Sequence, residues 1–142
     1  MALPGVFGGA YRGKRVLVTG HTGFKGGWLS LWLRELGAEV HGFALPAPAG
    51  PGLHAIVAPG TFEQEIFADI RDPAAVTAAL EQIQPEFIFH LAAQPLVRQS
   101  YREPVETFAT NVMGSVHLLE AVRGIDGARA VVNVTTDKCY EN

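Results

Sequence analysis

The sequence has little cysteine and no long apolar run. Its single cysteine, Cys139, excludes an internal disulfide and a cysteine-rich metal site. No stretch reaches the length needed to span a membrane, and the first residues lack the charged segment and apolar core of a signal peptide. We therefore expect a soluble, cytoplasmic protein.

A surplus of charge of one sign is also lacking. The 142 residues carry 11 basic and 14 acidic side chains, a net charge of -3, and no basic run. Neither nucleic acid nor an anionic membrane is therefore expected as a partner. No two histidines have the helical spacing of metal ligands, so we predict no metal site, and His90 is predicted to be a hydrogen-bonded core histidine. The hydrophobic content of 48% is enough for one domain, residues 1–142.

Glycines recur at G-x-x-G-x-x-G spacing directly after a short apolar strand, predicted over Arg15–Thr19. The first permits a tight turn, the second lets a phosphate approach the main chain, and the third lets the next helix lie near the sheet. The free N–H groups at the start of that helix would face the phosphate. A plain glycine-rich turn and a solvated lysine are the alternatives. We predict a dinucleotide site made by Gly20, Thr22, Gly23, Phe24, Lys25 and Gly26.

Strand and helix patterns alternate along the rest of the chain. Strands are predicted over residues 39–45, 62–67, 87–91 and 130–135. The helix after the glycines is predicted to be heavily buried, with Ser30 on its polar face. A second helix is predicted from Pro73, capped by Asp72, to before Pro85. A third is predicted over residues 104–122, with one apolar side made by Val105, Phe108, Val112, Val116 and Leu119.

This alternation implies right-handed crossovers and a parallel sheet. With the glycine turn after the first strand, we predict an α/β fold with a Rossmann-type, doubly wound parallel sheet of strand order 3-2-1-4-5. Its ligand crevice would lie at the carboxyl ends of strands one and four. Residues 46–60 are rich in Pro, Ala and Gly and are predicted to be an exposed loop, either functional or a floppy insertion.

Residues after the strands bear on the cofactor. Ala44 or Leu45 stands where a carboxylate would select NAD or a basic residue NADP, so NAD is preferred and NADP stays open. Asp69 is placed to accept from an adenine amino group, or else to cap a local turn, and Ile70 is placed to pack on the adenine ring. After the fourth strand, the backbone is expected to approach the cofactor at Leu91, Ala92, Ala93 and Gln94.

Four stretches together resemble one known family. They are the glycine turn, H-L-A-A-Q-P-L-V-R-Q-S-Y (90–101), T-N-V-M-G-S (110–115) and V-N-V-T-T-D-K-C-Y-E-N (132–142). In this order they resemble the motifs of the extended short-chain dehydrogenase/reductase family. Within that family, their residues are similar to those of the CDP-glucose 4,6-dehydratases. The resemblance implies an NAD-dependent lyase that oxidises the glucosyl C4, eliminates water across C5 and C6, and returns the hydride to C6.

The resemblance also implies roles for single residues. Thr136 would hydrogen-bond the C4 hydroxyl, Asp137 would protonate the departing C6 hydroxyl, and Lys138 would occupy the position of the C5 base. Most related dehydratases have a glutamate at that last position, and a lysine accepts a proton only when neutral, so its pKa would have to be depressed. Arg98 and Ser100 would contact the substrate, CDP-glucose.

The family's Tyr-x-x-x-Lys motif and substrate lobe are not among the 142 residues. We therefore expect the cofactor-binding part of a homo-oligomeric enzyme, inactive in isolation. A non-enzymatic dinucleotide-binding module and an enzyme for another nucleotide sugar stay open. The apolar fifth strand would lie at a sheet edge, so the chain is predicted to self-associate. Asn111 is expected to bond the backbone and hold strands four and five at the right spacing.

Overall fold

A computed structural model describes residues 5–136 of the chain, so Asp137 and Lys138 lie outside the described residues. Five parallel strands form one sheet in the order β3-β2-β1-β4-β5, which confirms the predicted fold and topology. The strands are β1 (Arg15–Thr19), β2 (Glu39–Ala44), β3 (Gln64–Phe67), β4 (Phe87–His90) and β5 (Ala130–Asn133).

Helices connect these strands. They are α1 (Phe24–Glu35), α2 (Leu53–Val57), α3 (Pro73–Ile83), α4 (Val97–Arg102), α5 (Pro104–Phe108) and α6 (Gly114–Val122), and a π-helical segment, Ala109–Met113, joins the last two. A short 3-10 helix, Val6–Gly9, precedes β1. No helix in the described part of the chain is both long and apolar enough to cross a membrane.

The sheet is covered on both faces because alternate residues of β1 point to opposite sides. Leu17 belongs to one core cluster, with Leu80 of α3 and Leu118 of α6. Val16 and Val18 belong to the other, with Leu33 of α1. All three β1 residues have no exposed surface, as expected of a central strand in a doubly wound sheet.

The start of α3 was predicted correctly. Asp72 is its N-cap, and the carboxylate accepts from the backbone N–H groups of Ala74 at 3.0 Å and Ala75 at 3.2 Å. Pro73 occupies the first turn, where its missing N–H costs nothing. The helix ends at Ile83, and the next residue, Gln84, takes a left-handed conformation with φ of 49°.

The predicted burial of α1 was wrong in its details. Trp28 and Trp32 are 51% and 47% exposed, whereas Ser30, expected on the polar side, is fully buried. The residues that α1 turns inward are Gly26, Gly27, Ser30 and Leu33. Gly26 lets α1 lie close to the glycine turn, and Gly27 lets it lie close to α2, where an added Cβ would be 3.2 Å from Leu53. The Ser30 hydroxyl is satisfied by donating to the Gly26 carbonyl at 2.7 Å.

The predicted apolar side of the third helix was also wrong. Its five residues are 47–83% exposed in the described structure. The residues of α6 that are buried are Gly114, Leu118 and Ala121. The stretch is not one regular helix, since the π segment interrupts it and shifts the register of the residues that follow.

Two short helices were missed. The 46–60 loop contains α2, which packs against α1, and residues 97–102 form α4. The fifth strand lies at the edge of the sheet, with Val132 45% exposed. The self-association expected from this edge stays a prediction.

Candidate functional site

The glycine turn between β1 and α1 lies against the loop that follows β4. Gly20 has a φ of 74°, a conformation that glycine adopts readily. A Cβ added at Gly20 would lie 2.9 Å from the Ala92 nitrogen and 2.9 Å from the Leu91 carbonyl carbon. Gly20 therefore permits both the turn and the close contact between the two loops.

The other two glycines shape the start of α1. A Cβ at Gly26 would lie 2.1 Å from the Gly20 carbonyl oxygen, so no other residue fits without moving the turn. Gly23 is exposed and is the N-cap of α1, and it offers no side chain to cap the helix. The first N–H groups of α1 therefore have no side-chain acceptor, which leaves room for an anion.

A hydroxyl at the end of β1 organises the start of the β4 loop. Thr19 Oγ1 accepts from the backbone N–H groups of Leu91 and Ala92, both at 3.1 Å. Because these bonds occupy its lone pairs, the hydroxyl donates its own hydrogen to His90 Nδ1 at 2.7 Å. The His90 proton is therefore on Nε2, which donates to Ser115 Oγ at 3.0 Å.

His90 is a structural residue. Its side chain is 3% exposed, and burial lowers the pKa of the imidazole below its ordinary value. A neutral ring bonded at both nitrogens positions the loop, which confirms the prediction of a hydrogen-bonded core histidine.

The π segment braces the same loop through Asn111. Its Oδ1 accepts from the Gln94 backbone N–H at 2.7 Å, and its Nδ2 donates to the Gln94 carbonyl at 3.1 Å. The expected backbone hydrogen bonds are therefore present, but they fix the loop after β4. Gln94 is also tied by its side chain, which donates to Thr107 Oγ1 at 3.1 Å and accepts from the Leu96 N–H at 2.6 Å.

An open cleft of about 820 Å³ lies beside this braced loop, at the carboxyl ends of β4 and β5. Four predicted site residues that follow β4 line it, together with one residue of the glycine turn and one residue that follows β5. They are Lys25, Ala92, Ala93, Gln94, Ser100 and Thr136.

Comparison with known proteins identifies the relatives of this chain. A sequence profile described as GDP-mannose 4,6 dehydratase matches residues 17–141. The chain belongs to the GDP-mannose 4,6 dehydratase family. It is 55% identical over 93% of its length to the CDP-glucose 4,6-dehydratase of Salmonella typhimurium, and it covers 37% of that protein.

Solved structures of related enzymes share the fold of this family member. A UDP-glucose-4-epimerase from Stenotrophomonas maltophila, with bound NAD and formylated UDP-arabinopyranose, matches with a TM-score of 0.77 and 26% identity, over 88% of this chain and 38% of that one. The Thermus thermophilus UDP-glucose 4-epimerase complex with NAD matches with a TM-score of 0.68 and 34% identity, over 78% of this chain and 34% of that one. The chain therefore spans little more than a third of these relatives.

Asp69, after β3, is held by a neighbouring arginine. Arg71 Nε lies 2.9 Å and Nη2 lies 2.6 Å from Asp69 Oδ2, and the Arg71 backbone N–H donates to Oδ1 at 2.9 Å. These bonds lower the pKa of the Asp69 carboxyl, so it is an acceptor at neutral pH. Asp69 also closes a local turn, which is the second role that the sequence predicts for it.

Ile70 lies largely within the core. Its side chain is 5% exposed and belongs to the core cluster beneath α6, where a Cβ on Gly114 would lie 2.8 Å from it. Gly114 lets α6 lie close to Ile70, and the contact of Ile70 with the adenine ring stays a prediction.

The remaining predicted residues are distributed around the turn and α4. Thr22 donates to the Leu45 carbonyl at 3.0 Å, and Phe24 is 72% exposed at the start of α1. Ser100 faces the cleft, although its hydroxyl donates to the Val97 carbonyl at 2.6 Å. Arg98 is exposed on α4 and does not line the described cleft.

One cluster was missed by sequence reasoning. His21, inside the glycine turn, meets His54 of α2 and Glu65 of β3, and their ligand-type atoms all lie within 4.8 Å of one another. The pKa of His21 is lowered, mainly by burial, although Glu65 acts in the opposite direction. The spacing of histidines along one helix cannot indicate this cluster, because its three residues lie on three different elements.

Proposed function

We propose that this chain is the NAD-binding part of a nucleotide-sugar 4,6-dehydratase that converts CDP-glucose to CDP-4-keto-6-deoxyglucose. The contact of Gly20 with the Leu91–Ala92 backbone, beside an α1 N terminus without a side-chain cap, carries the proposal. Support also comes from the 55% identity to a CDP-glucose 4,6-dehydratase and from the NAD in two similar structures.

The residues present fit a dinucleotide. The cofactor pyrophosphate would lie at the N terminus of α1, where Gly23 and Gly26 leave space for it and Lys25 supplies positive charge. The Asp69 carboxylate is ionised and fixed by Arg71, so it would accept from the adenine amino group. Ala44 and Leu45 are neither acidic nor basic, so these positions do not discriminate between NAD and NADP. NAD is proposed because two similar solved structures contain it.

Bound NAD would supply a hydride acceptor for C4 of the sugar and a hydride donor for C6. Thr136 lines the cleft beside the β4 loop, where its hydroxyl would hydrogen-bond the C4 hydroxyl. Once C4 is a ketone, the C5 proton is acidic enough for a side-chain base to remove it. Lys138 is proposed as that base and Asp137 as the acid for the departing hydroxyl.

The proposal is tested first by cofactor binding. We expect Gly26→Ala to weaken NAD binding at least about tenfold, because the shifted turn loses N–H bonds to phosphate worth roughly 1.5–3 kcal/mol each. Gly127→Ala is the matched control, since its added Cβ meets only the Gln84 carbonyl, at 4.0 Å. Calorimetric titration with NAD and NADP measures both variants, and circular dichroism checks that they fold. Equal NAD affinity in the two variants would contradict the proposal.

The substrate is tested separately. A protein that carries this chain within the full length of its relatives is expected to form the 4-keto-6-deoxy product from CDP-glucose faster than from GDP-mannose or UDP-glucose. A preference for either of the other sugars would overturn the substrate assignment while leaving the cofactor site intact. NAD binding without turnover of any of them would favour a binding module.

A further inference from the structure

Three side chains with metal-ligand chemistry converge beneath the glycine turn, outside the cleft described above. His21 Nε2 lies 3.0 Å from Glu65 Oε1, and His54 Nε2 lies 2.5 Å from the same oxygen. The residues come from three separate elements, namely the turn after β1, α2 and β3. None of the three is among the residues proposed to bind the cofactor or the substrate.

The first of these side chains is fixed by packing. His21 has no exposed surface, and its ring lies on β2 so closely that a Cβ at Gly42 would be 2.5 Å from the ring carbons. Phe62 and Phe67 flank the ring, with centroids 5.0 Å and 5.9 Å away. A ring held this firmly presents its Nε2 to Glu65 without a further loss of side-chain freedom on binding.

The other two ligands leave an approach from solvent. The side chains of His54 and Glu65 are 16% and 22% exposed, so an ion and a water molecule have access to the cluster. The His21–His54 ring centroids are 5.6 Å apart, which places two imidazoles and one carboxylate around a common point.

The ligand types select the ion. Imidazole nitrogens favour Zn²⁺ and neighbouring transition metals, whereas Mg²⁺ and Ca²⁺ prefer oxygen ligands. Two histidines and one carboxylate form a three-ligand set that leaves a fourth, water-filled position in tetrahedral geometry. Ligand bonds of about 2.0–2.2 Å require only small shifts of side chains that already lie this close.

We propose that His21, His54 and Glu65 bind one divalent transition-metal ion of the Zn²⁺ class. The ion would join α2 to β3 and to the residue that follows Gly20, and so would fix the 46–60 loop against the glycine turn. The competing arrangement is a metal-free network in which both imidazoles bond the Glu65 carboxylate.

Titration of the 142-residue chain with Zn²⁺, and with Co²⁺ as an optical probe, tests the site. We expect one ion per chain, a visible Co²⁺ spectrum typical of four-coordination, and a rise in thermal unfolding temperature with Zn²⁺. His54→Gln and Glu65→Gln are each expected to weaken Zn²⁺ binding at least about tenfold, since loss of even a supporting partner of a metal site costs that much.

Matched controls separate this site from other metal-binding groups. Glu63→Gln makes the same change two residues from Glu65, on a side chain that pairs with Arg34 at the surface, and should leave Zn²⁺ affinity unchanged. His41→Gln, in β2, is the corresponding control for His54, because His41 is not one of the three clustered residues. Absence of Zn²⁺ binding to the parent chain would overturn the proposal and leave the metal-free network. Binding that survives both His54→Gln and Glu65→Gln would overturn it equally, because the ion would then lie elsewhere.

Discussion

Replacing Thr19 by Val tests the loop-positioning network most sharply. The change keeps the side-chain shape and removes a fully buried hydroxyl that accepts from Leu91 and Ala92 and donates to His90. The Leu91 N–H keeps a second acceptor, the Thr19 carbonyl at 3.2 Å. The Ala92 N–H and His90 Nδ1 lose the bonds that the hydroxyl supplies.

The magnitude follows from those two groups. A polar group left unsatisfied on burial costs about 1–3 kcal/mol, so the two groups together should lower the free energy of unfolding of Thr19→Val by about 2–6 kcal/mol. Urea unfolding measures this as a lower midpoint at unchanged slope. Thr22→Val, which removes one exposed bond to the Leu45 carbonyl, is the matched control and should cost under about 1 kcal/mol. Equal losses in the two variants would refute the assigned network.

Two further predictions concern stability. Because burial lowers the folded-state pKa of His90 below the ordinary 6.5, the unfolded chain takes up the proton at higher pH than the folded chain. The stability that neutral His90 contributes should therefore be fully present above pH 6.5 and be lost as the pH drops below that value. Urea unfolding measures this as a lower midpoint below pH 6.5 than above it. Equal midpoints on the two sides would contradict the prediction. Leu118→Ala should cost about 2–5 kcal/mol because Leu118 is 1% exposed, whereas Leu119→Ala, at a 47% exposed position, should cost under about 1 kcal/mol. Urea unfolding measures both costs. A larger loss for Leu119→Ala than for Leu118→Ala would show that the helix face predicted from the sequence is the buried one.

Much of the sheet could be predicted because its signals are local. Continuous apolar runs mark the buried strands, and the predicted bounds of β1 match Arg15–Thr19. Asp72 followed by Pro73 places the start of α3 for an equally local reason, since the cap and the first turn are adjacent in the chain. Strand order followed from the position of the glycine turn and the handedness of the crossovers.

The helix faces could not be predicted in the same way. An apolar stripe indicates burial only when large side chains make the contact with the sheet. In α1 the buried residues include Gly26 and Ser30, and in α6 they include Gly114, because these positions lie too close to their neighbours for a large side chain. The π segment adds a second obstacle, since one wide turn rotates every residue after it.

In the candidate site, too, the local features could be predicted from the sequence and the long-range contacts could not. The glycine turn was predictable because its three glycines lie within one short stretch, each with a backbone requirement of its own. The His21, His54 and Glu65 cluster was not predictable, because its residues lie far apart in the sequence. His54 lies within the proline-rich 46–60 loop and Glu65 lies on β3. The burial of Ile70 depended on Gly114, which is equally distant in sequence.

The central claim is that a dinucleotide pyrophosphate binds between the glycine turn and the loop after β4. Nitrogen-15 NMR of the chain during titration with NAD tests it directly. We predict that the largest shifts fall on the backbone amides of Gly23, Phe24 and Lys25 and on those of Ala92 and Ala93. Saturating NAD that leaves these amides unshifted, or that shifts mainly residues of α3 and α6, would contradict the account.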